Sequence, residues 1–339
     1  MKNRIDSSRR KIPWNKKEET ILQSFIENTY MQDYNIKHPK LLDTCECEII
    51  NSIKINECRY CSSSEIIKRG KTDDKVQLYY CKNCKKRFTP VTNTIFENHK
   101  ISIKEWIEYL LNLFNYNSIS QIAKISKNSV NTSKFWLKKI FLVLENWQDT
   151  TILSDNIFID EMFYSVVKKD IVTKNGKKLR GLSKNQYCIG VGYDGNKIYA
   201  KIEGLGKPSS SKTLKTFENH IKPHSKLFHD DEKSHIDLVS KNQLIEVSYK
   251  SAWLKTLNDD ENPLQSINHQ CDLIRQFLNA HSGFDRNDLQ GYLNLYCFMN
   301  SGHKNKLDKV NEFLELALTK KTSLKYRTLF PKKEKYGLL

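Results

Sequence analysis

Downstream of residue 156 the chain alternates short apolar runs with polar breaks, at spacings that predict strands and helices in turn. "IFIDEMFYSVV" is an apolar run with two carboxylates set into it and reads as a strand. A basic, glycine-containing insert follows, "KKDIVTKNGKKLRGLSKNQ", and then "YCIGVGYDGNKIYAKIEGL", two strands joined at an Asp194-Gly195-Asn196 turn. Serines cap a helix in "SSSKTLKTFENHI", "SKLFHDDEKSHIDLV" is a short strand entering a helix, and "LIEVSYKS" is a fifth strand. Residues from about 264 to 320 carry a helical pattern.

Upstream, Trp106, Leu110 and Phe114 fall on one helical face. In "NSISQIAKISKNSVNTSKFWLKKIFLVLE" a short helix starts at Ser118, breaks at Ser126 to Asn128 and resumes near Ser129, the outline of a helix-turn-helix. Its second helix would offer Asn128, Asn131, Thr132 and Lys134 to a DNA groove, although a plain helical hairpin fits the same pattern. The order in the second half, three strands in meander and then alternating helix and strand, is that of a ribonuclease H-like fold. The expected organisation is multidomain α+β. It comprises a polar helical segment (1–50), a zinc ribbon (51–100), a helix-turn-helix-like segment (101–148), a ribonuclease H-like α/β domain with a mixed sheet (149–320) and a basic tail (321–339).

Charge narrows the choice of partner. There are 56 Lys and Arg against 39 Asp and Glu, a formal net charge of +17, which favours a polyanion, nucleic acid before membrane surface. No run of eighteen apolar residues occurs and no apolar segment follows the basic N-terminus, so the expectation is a cytoplasmic protein with no membrane partner. Nine cysteines in a reducing compartment point to metal ligands and free thiols, Cys45 and Cys47 among the latter.

The ribbon rests on "CRYC" (58–61) and "CKNC" (81–84). Two C-x2-C pairs nineteen residues apart predict a closed four-thiolate zinc site, structural because it leaves no open position. "EIIKRG" and "KVQLYYC" would pair around a Gly70 turn, with a third strand in "KKRFTPVTNT". Arg59, Lys68, Arg69, Lys86 and Arg87 are expected on an exposed basic face that touches DNA, or that is simply solvated. The same two readings apply to Lys177, Lys178 and Arg180 in the basic insert.

Within the ribonuclease H-like order the first and fourth strands lie side by side, so Asp160 and Asp230 converge. Oxygen ligands of this kind suit Mg²⁺, and two such ions are the usual apparatus of phosphodiester displacement. Successive strand residues point to opposite faces, which places Glu161 on the far side of the sheet from Asp160, dispensable for cutting. Only strand register separates Asp230 from Asp231. His229 and His235 read as structural or surface histidines rather than ligands.

Together the zinc ribbon, the helical segment, "FIDE", "HDDEKSH" and "NPLQSINHQCDLIRQFLNAHSGFDRNDLQGYLNLYCFMN" resemble bacterial insertion-sequence transposases of the DDE superfamily. The match is to the branch with an N-terminal zinc ribbon and asparagine as third catalytic residue, over residues 55 to 330. The resemblance implies a DNA transposase with Asp160, Asp230 and Asn268 as catalytic metal ligands. It also implies two catalytic Mg²⁺ (Mn²⁺ able to substitute), structural Zn²⁺, double-stranded DNA as element ends and target, and a homodimer or higher oligomer on the nucleoid. Two positions depart from the pattern: Cys271 stands where some relatives have glutamate, and Leu278 where they have lysine. Glu232, Glu261 and Asp272 are acids that could replace or supplement Asn268. A non-catalytic regulator descended from a transposase, or a metal-dependent nuclease without strand transfer, stays open.

Overall fold

The computed structural model describes residues 46–97, 102–302 and 304–331. They form two compact units: residues up to Trp106 with Ala317–Ser323, and Ile107–Leu316 with the residues from Leu324 on. Cys45 and the polar segment before it lie outside the described residues, as do residues 332–339 of the basic tail. The division by compactness is coarser than the five expected segments, since residues 107–148 share a unit with the large sheet.

The smaller unit holds helix α1 (Glu46–Ser52) and an antiparallel sheet of β1 (Ile66–Lys71), β2 (Gln77–Cys81) and β3 (Arg87–Phe88), in that order. Gly70 is not in the β1–β2 turn, as the pattern suggested. It sits with φ +77° where the register shifts between Lys68 and Lys71, and the turn closes through Thr72 N to Val76 O at 2.8 Å. Tyr79 stacks on Phe88 at 5.5 Å to fill the small core.

In the larger unit, Ser118 and Gln121 form a reciprocal capping box at the start of α3 (Ile119–Ile125). The helix ends with Lys127 at φ +52°, Asn128 N bonded to Ala123 O at 2.8 Å and Lys127 N to Lys124 O at 3.2 Å. Ser129 then caps α4 (Val130–Leu144) by accepting from Thr132 N. Helix α2 (Ile103–Phe114) precedes the pair, and its Tyr109 donates to Ser133 O at 2.7 Å.

The five-stranded sheet runs β10-β9-β4-β7-β8: β4 (Asn156–Ser165), β7 (Gln186–Tyr193) and β8 (Ile198–Leu205) in antiparallel meander, β9 (Lys226–Asp230) and β10 (Ile245–Tyr249) parallel to β4. This strand order and polarity is the ribonuclease H-like topology. The basic insert forms a separate exposed hairpin, β5 (Thr173–Lys174) and β6 (Lys177–Lys178), turning at Asn175 and Gly176, both with positive φ. One face of the large sheet buries Ile157, Ile159 and Leu227 under α5 (Ser210–Phe217) and α6 (Ile236–Asn242). On the other, α8 (Gln265–Ala280) packs on β4 and β7; the short α7 (Ser251–Leu254) precedes it, and α9 (Leu289–Asn300) follows.

An unpaired edge strand has backbone groups to satisfy, and β8 satisfies them with side chains. Gln148 mimics a strand partner for Ala200, accepting from its N–H at 2.9 Å and donating to its carbonyl at 3.0 Å; Gln290 takes Ile202 N and Ser301 takes Ile198 N. Asn294 links the same layer to the end of α4 by donating to Leu144 O and Glu145 O. Gly291 gives Phe141 room, since a Cβ there would lie 2.6 Å from the ring. Helices α10 (Lys306–Thr319) and α11 (Tyr326–Leu329) complete the chain. Among the described residues no helix is long and apolar enough to cross a membrane.

At the end of α8, His281 is buried between Phe277 and Tyr292, and neither ring nitrogen has a partner among the described residues. Burial holds it down to about 4 from an ordinary 6.5. Between those values the unfolded chain binds the extra proton, so stability is full above pH 6.5 and falls as pH drops towards 4. Urea titrations should show wild type losing about 2 kcal/mol more than His281→Phe between pH 7 and pH 5. Equal losses in the two proteins would show that the ring is solvated.

Candidate active site and metal centre

Two knuckles of matching geometry build the cysteine cluster. Cys58 N donates to Ser63 O, and Ser62 N donates back to Cys58 O; Cys81 N donates to Lys86 O, and Lys85 N donates back to Cys81 O. Ser62 and Lys85, each following its second cysteine, hold φ +57° and +60°, which turns the chain tightly enough to present both thiols inward. Tyr60 N and Cys84 N donate to Cys58 Sγ and Cys81 Sγ. Cys58 Sγ lies 3.6 Å from Cys84 Sγ, and Cys61 Sγ 3.6 Å from Cys81 Sγ. A tetrahedral ion with metal–sulfur bonds of about 2.3 Å requires edges of about 3.8 Å; a disulfide would need about 2.05 Å. The four thiols therefore fit a metal ion rather than two disulfides, and all four ligand atoms lie within 4.8 Å of one another.

The basic face is only partly as expected. Lys68, Arg69, Lys86 and Arg87 are exposed, with Arg69 over the Tyr80 ring and Lys86 over the Tyr60 ring. Arg59 is a correction. It is buried, and its guanidinium donates to Leu318 O and Thr319 O at 2.7 and 2.8 Å, the last carbonyls of α10, so it is not on an open surface. In the larger unit Asn131 and Lys134 are exposed near the start of α4 and Asn128 is half-buried. Lys177, Lys178 and Arg180 are exposed and line a cleft of about 820 Å³ that reaches Ser165 at the end of β4.

Asp160 and Asp230 come together through strand register. Phe158 and Phe228 are partners in the parallel β4–β9 ladder and stack at 4.8 Å. Two residues on, Asp160 and Asp230 fall level with each other on that same face, where the ladder has ended. Loss of solvent pushes the Asp160 carboxyl up to about 7, with the charges of Glu161 and Asp230 adding to it. Asp230 Oδ2 accepts from Ser251 Oγ at 3.3 Å, while its buried Oδ1 has no partner among the described residues. An unpartnered buried carboxylate oxygen facing a second carboxylate is the donor set of a hard cation.

Helix α8 closes the site. Cys271 Sγ is 4.0 Å from Asp160 Oδ2, and Asn268, half-buried, is one turn earlier on the same face. The position that departs from the family pattern is thus in contact with Asp160; burial and the Asp160 charge hold its thiol up. Of the alternative acids, Glu232, Glu261 and Asp272 are exposed, Glu261 accepting from Asn258 and Asp272 paired with Arg275. Asp231, just past the end of β9, is exposed as well, whereas Asp230 shares the face of Asp160.

The reverse face holds what the sequence did not reveal. Glu161 does point away from Asp160, but it is not a solvated bystander: its side chain is 6% exposed and accepts from Ser234 Oγ at 3.1 Å and meets His235 Nε2 at 3.2 Å. His235 Nδ1 lies 2.9 Å from His229 Nδ1, which also bonds Asp230 O, and His229 Nε2 faces Glu246 at 3.2 Å. Both histidines are buried. Burial alone would lower His235, but Glu161 raises it; burial and His235 lower His229. Nearby, burial pushes Glu203 up to about 7, and its Oε2 accepts from Thr213. His229, Asp230 and His235 have ligand atoms within 4.8 Å of one another; His229 Nδ1 and both His235 ring nitrogens are in hydrogen bonds, and His229 Nε2 is in none among the described residues.

No protein family and no curated relative matches the sequence. Similar solved structures include the catalytic domain of Mos1 mariner transposase (12% identity, 53% of this chain and 86% of that one, TM-score 0.29). Another is the Mos1 mariner paired end complex with Mn (11%, 62% and 74%, 0.29), and a third the Mos1 strand transfer complex (11%, 61% and 73%, 0.27). At scores this low the likeness adds nothing to the fold, which rests on strand order.

Replacing Cys81 with serine should release the thiolate-held ion. Metal analysis of purified Cys81→Ser should fall by one equivalent relative to wild type; an unchanged content would mean the four thiols do not share an ion.

Proposed function

We propose that the protein is a DNA transposase of the zinc-ribbon, Asp-Asp-Asn type, which cuts at the ends of its element and joins them to target DNA. The observation that supports this most is the level pair Asp160 and Asp230 at the end of a parallel ladder, under the helix that carries Asn268. Asp160, Asp230 and the Asn268 carbonyl oxygen would hold two Mg²⁺, with Mn²⁺ able to substitute, and Cys58, Cys61, Cys81 and Cys84 a structural Zn²⁺. When bound, the Mg²⁺ pair supplies polarisation of the attacking hydroxyl and of the leaving oxygen in an in-line phosphodiester displacement.

The chain's own residues do the rest. Asp160 and Asp230 orient the reacting phosphate by fixing where positive charge collects. Asn268 contributes a neutral oxygen, which leaves the site one negative charge poorer than a three-carboxylate site and its cation weaker bound. Lys177, Lys178 and Arg180 contact the phosphate backbone beside the site, and Lys68, Arg69, Lys86 and Arg87 do so from the ribbon. Asn128, Asn131 and Lys134 read the element end from the start of α4. Pairing of two ends requires a homodimer or larger assembly on DNA. In a bacterial cell the protein acts in the cytoplasm on the nucleoid.

The test is strand cleavage of duplex DNA carrying the sequences that flank the gene, with wild type and Asp160→Ala, with and without Mg²⁺. Cleavage and joined products should require Mg²⁺, and the variant should lose roughly 10⁴-fold in rate while still binding the ends. Specific binding without cutting in either metal would make the protein a regulator, and cutting without joined products a nuclease.

A further inference from the structure

The backbone ladder between β4 and β9 stops at Phe158 and Phe228, two residues short of the paired carboxylates. No main-chain bond of that ladder holds the strands at the level of Asp160 and Asp230, where two carboxylates, when charged, repel each other. On the reverse face, at this level, a chain of side chains runs across three strands. Glu161 on β4 meets His235 at 3.2 Å and His235 meets His229 on β9 at 2.9 Å, both in hydrogen bonds, while His229 Nε2 lies 3.2 Å from Glu246 on β10 without one. Ser234 Oγ adds a bond to Glu161 at 3.1 Å, and His229 Nδ1 also bonds the carbonyl of Asp230 itself. Glu161 and His229 are each the chain neighbour of a carboxylate on the front face, so moving either carries an aspartate with it.

We infer that Glu161, His235 and His229 are positioning residues for the front-face carboxylates. Their hydrogen-bonded chain takes over where the ladder ends and sets the spacing of Asp160 and Asp230, and through it the affinity for a divalent cation. The inference rests on the metal-binding reading of those two aspartates. It replaces the expectation that Glu161 is dispensable. The chain needs Glu161 as an acceptor for Ser234 Oγ–H and His235 Nε2–H, a role that a glutamine carbonyl oxygen fills and a leucine does not.

The experiment is Mn²⁺ binding to the full chain without DNA, followed by the electron paramagnetic resonance of free Mn²⁺, with Asp160→Ala defining the part that depends on the site. Glu161→Leu should weaken the Asp160-dependent binding roughly tenfold or more, whereas Glu161→Gln should stay within about threefold of wild type. The Mg²⁺ concentration for half-maximal strand cleavage should move in parallel, with end binding unchanged. A folded Glu161→Leu protein that binds Mn²⁺ like wild type overturns the inference, and so does a Gln variant as poor as the Leu variant. Should the Leu variant fail to fold, His235→Gln keeps a donor to Glu161 but loses the link to His229. Weakened binding there supports the tether and unchanged binding overturns it. Absence of any Asp160-dependent Mn²⁺ binding in wild type sinks the metal reading itself, which separates the two failures.

Discussion

Two carboxylates held level on neighbouring parallel strands repel each other, and taking them from water makes the repulsion worse. Burial raises the Asp160 carboxyl to about 7, and the charges of Glu161 and Asp230 add to it. Such a pair persists in a fold only if the surrounding structure over-determines its position, and the larger unit does so from several sides. The meander β4-β7-β8 fixes the strand that carries Asp160, α8 lies over it with Cys271 in contact, and Ser251 donates to Asp230. The same repulsion is what a divalent cation between the two carboxylates would relieve.

The β8 edge of the sheet is closed by side chains rather than by another strand. Gln148, Gln290 and Ser301 satisfy the outward backbone of β8, which both removes a strand edge open to other chains and fastens the helical layer to the sheet. Asn294 extends the fastening to the end of α4. The helices that read as a separate DNA-binding segment are therefore continuous in packing with the sheet, because buried amides join them.

Much of this was legible in the sequence because it depends on local chemistry. Period-two alternation and the Asp194-Gly195-Asn196 turn mark the meander, with Asp194 Oδ1 accepting from Asn196 N and Lys197 N as such a turn requires. Ser118 and Ser129 announce the starts of α3 and α4, and the two cysteine pairs announce their knuckles. The common face of Asp160 and Asp230 follows from parity once the strands are known to be neighbours. What was not legible depends on distant partners. Arg59 looked like a surface cation because the carbonyls that bury it come 259 and 260 residues later. Glu161 could be assigned to the reverse face, but its partner His235 is 74 residues away and arrives only because the chain turns back after β9. Gly70 was misplaced because a bulge and a turn ask for the same positive φ.

The cysteine-rich unit is not a continuous piece of chain. Residues 317–323 belong to it, and through Leu318, Thr319 and Lys321 they supply the acceptors for Arg59 and a donor to Ser62 and to the carbonyl of Cys58. During synthesis the knuckles are made first, but these contacts must wait until a segment 259 and 260 residues further on has left the ribosome. The cysteine-rich unit is thus begun before the larger one and completed only after Ile107–Leu316 of that unit, and a product that stops short of residue 317 would lack the acceptors for the Arg59 guanidinium.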